Sequence, residues 1–450
     1  MANMGFEMMN RGSFNDFLSS IFNRSDWLRN RDHLQPGSAR GITDLCRALL
    51  ATGGEASAIA FAADVLEGYQ ALDMDARREF FELLADEFDL ETDRLQTAVS
   101  AYAENATPPL LAELIKAAEP QRQELFRRLN TAPGGTAALV KMRADLLAFI
   151  KQDSNLKRVD ADLRHLLTSW FNRGFLLLES IDWHSSADIL EKVIAYESVH
   201  EIHSWDELRR RLQPDDRRCF AFFHPAMPDE PLIFVEIALT KGIPSSIQEL
   251  LEPEREKLSA ASADTAVFYS ISNCQLGLTG ISFGNFLIKQ VAADLREALP
   301  NLSTFVTLSP VPGLMRWMKN QDDENSLEHA LCAALENIAP QGDSLEPLNP
   351  ALQYISAKFF LEKSRPDGKP IDPVARFHLG NGAQLYRINP SADLSENGMR
   401  QSAGIMVNYL YDLSAVEGRH EAYVRSGKVD AADKVRALLR RPASLPTNIS

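Results

Sequence analysis

The sequence predicts an α+β protein of two domains, an all-helical bundle over residues 1–178 followed by an α/β domain with a mixed sheet over residues 179–450. Three observations carry this. From about Ser38 to Leu178 the chain is rich in Ala, Leu, Glu and Arg, and its apolar residues recur at helical spacing without strand-like alternation. Beyond Glu179 the texture changes to short β-like runs. Their order (three strands, a glycine-bearing loop, a helix, another strand) is that of a helix packed on a mixed sheet.

In the first half, Asp75–Leu90 sets Phe80, Phe81, Leu83, Leu84 and Phe88 on one stripe with charges between them. Further amphipathic segments cover Leu110–Ala118, Gln121–Leu129, Thr136–Ile150 and Val159–Trp170, separated by Pro108-Pro109 and Pro133-Gly134-Gly135. In the second half, Ser204-Trp205-Asp206-Glu207 has the form of a capping box opening a short helix toward Leu212. Strands are predicted at Cys219–His224, Leu232–Leu239, Ala266–Ile271 and Thr304–Leu308, with a helix over Asn285–Leu299. Lys319–Glu362 reads as mostly helical apart from Pro340–Pro350, and Phe377–Leu413 as loop and strand. The first and last twenty or so residues are polar or weakly periodic and are expected to be disordered.

With 45% hydrophobic and 24% charged residues over 450 positions, the chain can fill real cores, which excludes wholesale disorder. A net charge of −15 argues against a nucleic-acid partner, because that binding draws on clustered Lys and Arg. The longest apolar runs, such as Ala58–Ala63, are far too short for a bilayer, so no membrane partner is expected. Cys46, Cys219, Cys274 and Cys332 are scattered and form no C-x-x-C pair, and no His/Cys/Asp/Glu grouping has zinc spacing. The expectation is reduced thiols, no metal, no secretory signal and a cytoplasmic protein.

Three segments could carry chemistry. In Ala266–Lys289 a strand runs into a loop holding Gly277, Gly280 and Gly284, and a helix follows at once. Free N–H groups at a helix start suit a diphosphate, although neither a Walker loop nor a dinucleotide triple glycine is present. The turn is similar to that of the N-acetyltransferase superfold, where coenzyme A lies across a strand-to-helix junction. A glycine-tolerant turn with no ligand fits the same pattern. In Thr307-Leu-Ser309-Pro-Val-Pro-Gly313 a strand delivers Ser309 to a turn stiffened by two prolines. That hydroxyl either orients a substrate or merely caps the turn. His378, among nine histidines, stands between an aromatic residue and a Gly/Asn-rich loop, where it either moves a proton or bonds a carbonyl.

Together these segments resemble the malonyl-CoA decarboxylase family. The matching residues include Arg173-Gly-Phe-Leu176, Ile181-Asp-Trp183, Tyr196-Glu-x-Val-His200 and Phe268-Tyr-Ser-Ile-Ser272. They continue through Gln275-x-Gly-Leu-x-Gly280, Gly284-x-Phe-Leu-Ile-Lys289, Leu308-Ser-Pro-x-Pro-Gly313, Pro373-Val-Ala-x-Phe-His378-Leu-x-Asn-Gly-Ala383 and Asn408-Tyr-x-Tyr411.

The resemblance implies an N-terminal helical domain used in oligomerisation, giving a homodimer or homotetramer, and a catalytic domain of acetyltransferase-like fold. It implies conversion of malonyl-CoA to acetyl-CoA and CO2 with no cofactor, the coenzyme A thioester being the substrate. It places the catalytic serine on Ser309, the catalytic histidine on His378 and an active-site tyrosine on Tyr411. The chemistry then expected has Ser309 orienting the carboxylate or enolate and His378 delivering the proton, with Tyr411 and Asn381 supporting them. The coenzyme A loop falls on Gln275, Gly277, Gly280, Ile281, Ser282 and Gly284; animal members carry a glutamate where this chain has Ser282. Lys289, Arg316 and Lys319 could meet the phosphates or be ordinary surface charges. Two other readings stay open: an acyl-CoA-dependent acyltransferase on the same fold, and a non-catalytic acyl-CoA-binding regulator.

Overall fold

The computed structural model describes residues 38–281, 287–323, 326–338 and 345–440. The first chain end, residues 441–450 of the last, the proposed loop residues Ser282 and Gly284, and part of the Pro340–Pro350 stretch lie outside these residues. The rest of the C-terminal stretch expected to be disordered is ordered instead: it bridges Ala431 to Leu385, forms a helix over Asp433–Ala437 and buries Val435. The chain divides into two compact units. One holds residues up to Phe175 together with Pro225–Met227 and Gln275–Ile281, and the other holds the remainder.

The first unit is helical: α1 Ala39–Ala51, α2 Glu55–Ala71, α3 Met74–Glu87, α4 Thr92–Glu104, α5 Pro108–Ala117, α6 Gln121–Leu129, α7 Gly135–Phe149 and α8 Lys157–Trp170. Local chemistry starts several of them. The Asp73 carboxylate accepts from the Ala76 amide at 2.9 Å to open α3, and α5 begins on a proline, whose missing N–H is unneeded there. On the predicted stripe Phe80, Phe81, Leu84 and Phe88 are buried, while Leu83 is only partly covered. Phe81 packs on Tyr69 and Phe149 at ring separations of 5.8 and 6.1 Å, so α2, α3 and α7 share one aromatic core.

The second unit contains β1 Leu177–Ile181, α9 Ala187–Tyr196, α10 Trp205–Leu212, β2 Arg217–Phe223, β3 Ile233–Thr240, α11 Ile247–Leu251, β4 Thr265–Asn273 and α12 Leu287–Ala298. It continues with β5 Thr304–Thr307, β6 Ser309–Pro310, α13 Leu314–Lys319, α14 Leu327–Ile338, α15 Asn349–Leu361 and α16 Pro373–Gly380. It closes with β7 Gln384–Asn389, α17 Glu396–Ser402, β8 Met406–Leu410, α18 Val416–Ser426 and α19 Asp433–Ala437. Among the described residues the strands form an eight-stranded mixed sheet in the order β1-β2-β3-β4-β5-β8-β6, with β7 on β8.

The sheet is antiparallel except at β4–β5, which run parallel from Thr265↔Thr304 to Phe268↔Thr307. β4 continues to Asn273 beyond that pairing, so the two strands part company at their C-terminal ends. Val306↔Leu410, Ser309↔Val407 and Pro310↔Met406 share one register, so β5 and β6 are one interrupted strand laid against β8. The period of two then sorts the side chains. Val306, Leu308 and Met406 enter one core with Val267 and Tyr269. Thr307, Ser309, Val407, Tyr409 and Tyr411 take the opposite face.

Two sequence expectations need correction. The sequence pattern does not announce β1, a short edge strand whose first residues are largely exposed and carry little hydrophobic alternation. Phe377–Leu413, expected as loop and strand, begins instead within α16, an eight-residue helix that carries His378 and is opened by Asp372-Pro373. Among the described residues no helix is long and apolar enough to cross a membrane.

Candidate active site

The interrupted strand delivers Ser309, and α16 lays His378 over it. The Ser309 hydroxyl is 3.0 Å from His378 Nε2, although the two residues are 69 positions apart. His378 Nδ1 lies 2.9 Å from the Tyr411 hydroxyl. Both ring nitrogens are thus committed to side-chain hydroxyls rather than to a carbonyl. The imidazole stacks on Tyr409, with ring centroids 4.6 Å apart at 25°, and meets the edge of Phe377.

Supporting contacts fix this arrangement. Ser309 Oγ also donates to Thr307 Oγ1 at 2.9 Å, and Thr307 Oγ1 accepts from the Tyr409 amide at 3.2 Å. The Asn408 side chain donates to the Thr307 carbonyl at 2.8 Å, while its oxygen accepts from Arg387 Nε at 2.9 Å and Asn389 Nδ2 at 2.8 Å. The His378 carbonyl accepts from the amides of Asn381 and Ala383, which closes the end of α16. Asn381 is buried, and among the described residues its Nδ2 finds no hydrogen-bond partner.

The site is dry: Ser309 is 5% exposed, His378 2% and Tyr411 1%. Burial alone drives the His378 pKa down to about 3, so the ring is a neutral imidazole with one proton to place. Burial likewise holds Tyr411 well above the ordinary phenol range, so it remains a hydroxyl. The result is an uncharged chain of proton-bearing groups, Tyr411–His378–Ser309–Thr307.

The glycine loop shows a different character. Over Gln275–Ile281, Arg143 donates to the carbonyls of Gly277 and Thr279 at 2.6 and 3.0 Å, and Arg164 donates to the Gly280 carbonyl at 3.1 Å. A Cβ at Gly277 would lie 1.8 Å from the Val140 carbonyl oxygen, and Gly280 has φ of +79°. Each glycine therefore answers a backbone requirement of the fold itself. Among the basic candidates, Lys289 pairs with Glu417 at 2.8 Å and Lys319 with Glu336 at 3.1 Å.

The comparisons with known proteins agree on one family. A model described as the malonyl-CoA decarboxylase C-terminal domain matches residues 174–447, and one for the N-terminal domain of the same enzyme matches 88–171. The chain belongs to the malonyl-CoA decarboxylase family. It is 34% identical over 350 residues to the mitochondrial malonyl-CoA decarboxylase of Anser anser anser, covering 70% of this chain and 69% of that one. The mitochondrial enzyme of Mus musculus is 33% identical, covering 71% of each chain. Among solved structures, malonyl-CoA decarboxylase from Rhodopseudomonas palustris superposes with a TM-score of 0.85 at 53% identity, covering 89% of this chain and 99% of that one. The Agrobacterium vitis enzyme gives 0.82 at 49% identity, covering 89% and 100%. The family's activity makes this chain a carboxy-lyase with malonyl-CoA as substrate.

Sequence reasoning named Ser309, His378, Tyr411 and Asn381 but missed Thr307 and Tyr409, which brace them, and Asp372, which caps the helix carrying His378 by accepting from the Ala375 amide. The signal for Asp372 was present, since Asp before Pro is a helix-start pattern. Thr307 and Tyr409 follow from strand alternation only once the β5–β8 register is known.

Proposed function

We propose that Ser309, His378 and Tyr411 carry the decarboxylation of malonyl-CoA to acetyl-CoA and CO2 by a metal-free enolate route needing no cofactor. The observation that carries this is the 3.0 Å approach of Ser309 Oγ to His378 Nε2 on a buried, uncharged face of the sheet. In the reaction the bond from Cα to the carboxylate carbon breaks, and its electron pair moves into the thioester to form an enolate. CO2 leaves, and Cα then takes a proton. A dry site strips water from the substrate carboxylate, which favours loss of charge from that end. Ser309 orients the carboxylate or enolate oxygen, and the orphaned Nδ2 of Asn381 supplies a further donor. His378, neutral in the free enzyme, gives its proton to Cα while Tyr411 backs the ring at Nδ1. A thioester enolate is a stronger base even than the imidazolate this transfer leaves, and the Tyr411 hydroxyl at Nδ1 stabilises that anion by donating to it until a solvent proton restores the neutral ring as product leaves.

The loop Gln275, Gly277, Gly280, Ile281, Ser282 and Gly284 is assigned to the coenzyme A diphosphate in this reading. Assembly of the helical unit into a homodimer or homotetramer also belongs to it, supported by the exposed apolar residues Val99, Leu111 and Ile115 on α4 and α5. A cytoplasmic location is part of the same reading; four free, buried thiols support a reducing compartment.

The test is incubation of purified protein with malonyl-CoA alone, following acetyl-CoA and CO2 by mass and radiolabel. Equimolar release without an acceptor amine is expected. Turnover only on adding an acceptor would make the protein an acyltransferase, and binding without turnover would make it a regulator.

A further inference from the structure

Asp372 joins the two elements that hold the reacting pair. It is 1% exposed, and its Oδ1 accepts from the Ala375 amide at 2.7 Å, capping α16. Among the described residues its Oδ2 has no hydrogen-bond partner, and it lies beside the turn beyond Ser309, 3.8 Å from where a Cβ on Gly313 would be. The Gly313 amide helps hold the carboxylate charge. Both levers are short. From Asp372 to His378 runs less than two turns of helix, and from Gly313 back to Ser309 run Pro312, Val311 and Pro310, with two φ angles locked by proline.

We propose that Asp372 is the positioning residue of this site, its ionised carboxylate clamping the helix that carries His378 to the turn that carries Ser309. The inference rests on the reading above and adds a control to it. Protonation would remove the negative charge that attracts the Gly313 amide, and the clamp would loosen. Burial raises the Asp372 pKa to about 6, against the amides of Gly313, Val374 and Ala375 and the charge of Arg376, which lower it. The groups facing it are Arg376 from α16, whose Nη1 is spent on the Pro370 and Ile371 carbonyls, and the buried Tyr409 phenol from β8. Around Gly313, α15 contributes the apolar Phe359. His378, titrating near 3, cannot produce a transition near 6.

The test uses the full chain, with Asp372→Ser, which keeps a helix cap but no second oxygen, and Asp372→Asn, which keeps the shape but cannot titrate. With malonyl-CoA, kcat of both variants is expected to fall about 10- to 100-fold with KM changed less than about threefold. The wild-type kcat should decline below pH of about 6, and that limb should vanish in Asp372→Asn. A second readout needs no turnover: in protein carrying 15N-labelled histidine, the His378 ring signals of the wild type should shift with a midpoint near pH of about 6 while the ring stays neutral. In Asp372→Ser they should sit at the low-pH position throughout. Unshifted ring signals, or variants with normal kcat and an unchanged acid limb, would overturn the clamp whether or not the wild type turns over malonyl-CoA.

Discussion

Two glycine-bearing strand ends, the loop after β4 and the turn after β6, look alike in the sequence and behave differently in the structure. At the first, Gly277 lies against the Val140 carbonyl, and Arg143 and Arg164 bind the loop's own carbonyls. There Gly277 and Gly280 each meet a backbone requirement, whatever else the loop holds. At the second, the backbone is stiffened by Pro310 and Pro312, and the side chain released just before them, Ser309, faces His378. A glycine pattern reports that two backbones approach; it does not report whether a ligand is the reason.

That contrast can be broken most strongly at the hydroxyl–imidazole pair. Ser309→Ala and His378→Asn are expected to lower kcat for malonyl-CoA by about 10²–10⁴ while leaving the thermal midpoint nearly unchanged. A His378→Asn enzyme with near-normal turnover would remove the proton-transfer role.

Gly277→Ala should do the reverse. With a methyl 1.8 Å from a backbone oxygen, the loop must move, and a loss of about 3 kcal/mol or more in unfolding free energy is expected by denaturant titration. A Gly277→Ala protein of normal stability but weakened coenzyme A binding would return this loop to the ligand.

A third consequence follows from the depressed His378 pKa. Its unfolded value is about 6.5 and its folded value about 3, so between these the unfolded chain holds a proton that the native chain does not. Stability therefore falls as pH drops through that window, by up to ~1.4 kcal/mol per pH unit from this residue. His378→Asn should remove that share of the slope, measured as the difference between variant and wild-type unfolding at each pH. Equal slopes would mean the ring is not buried neutral.

The smallest effect is expected at Tyr411→Phe. It keeps the ring but removes the hydroxyl at His378 Nδ1, and roughly a tenfold loss of kcat with unchanged KM is anticipated.

Much of the fold was legible because local periodicity is set by local burial. The stripe on α3 and the strands β2 to β5 each carry their pattern within a few residues. β1 was illegible because an edge strand buries little, and α16 because its glycine- and asparagine-rich exit reads like the loop it leads into. Within the candidate site, Ser309 and His378 stand out in the sequence as candidates because motifs surround them, and the structure brings them within 3.0 Å. Thr307 and Tyr409 were not, since each is an ordinary strand residue until its partner strand is known.

The chain's own order of residues settled the helical first half, the α/β second half, the family and the groups able to handle a proton. Tertiary structure settled which of these groups meet and in what state. Thr307 reaches Asn408 across 101 positions, and only that pairing sets Ser309, Tyr409 and Tyr411 on one face. Only burial beneath α16 removes the water that would let His378 carry a charge. Register and dielectric are properties of distant segments brought together, and no window of sequence contains both partners.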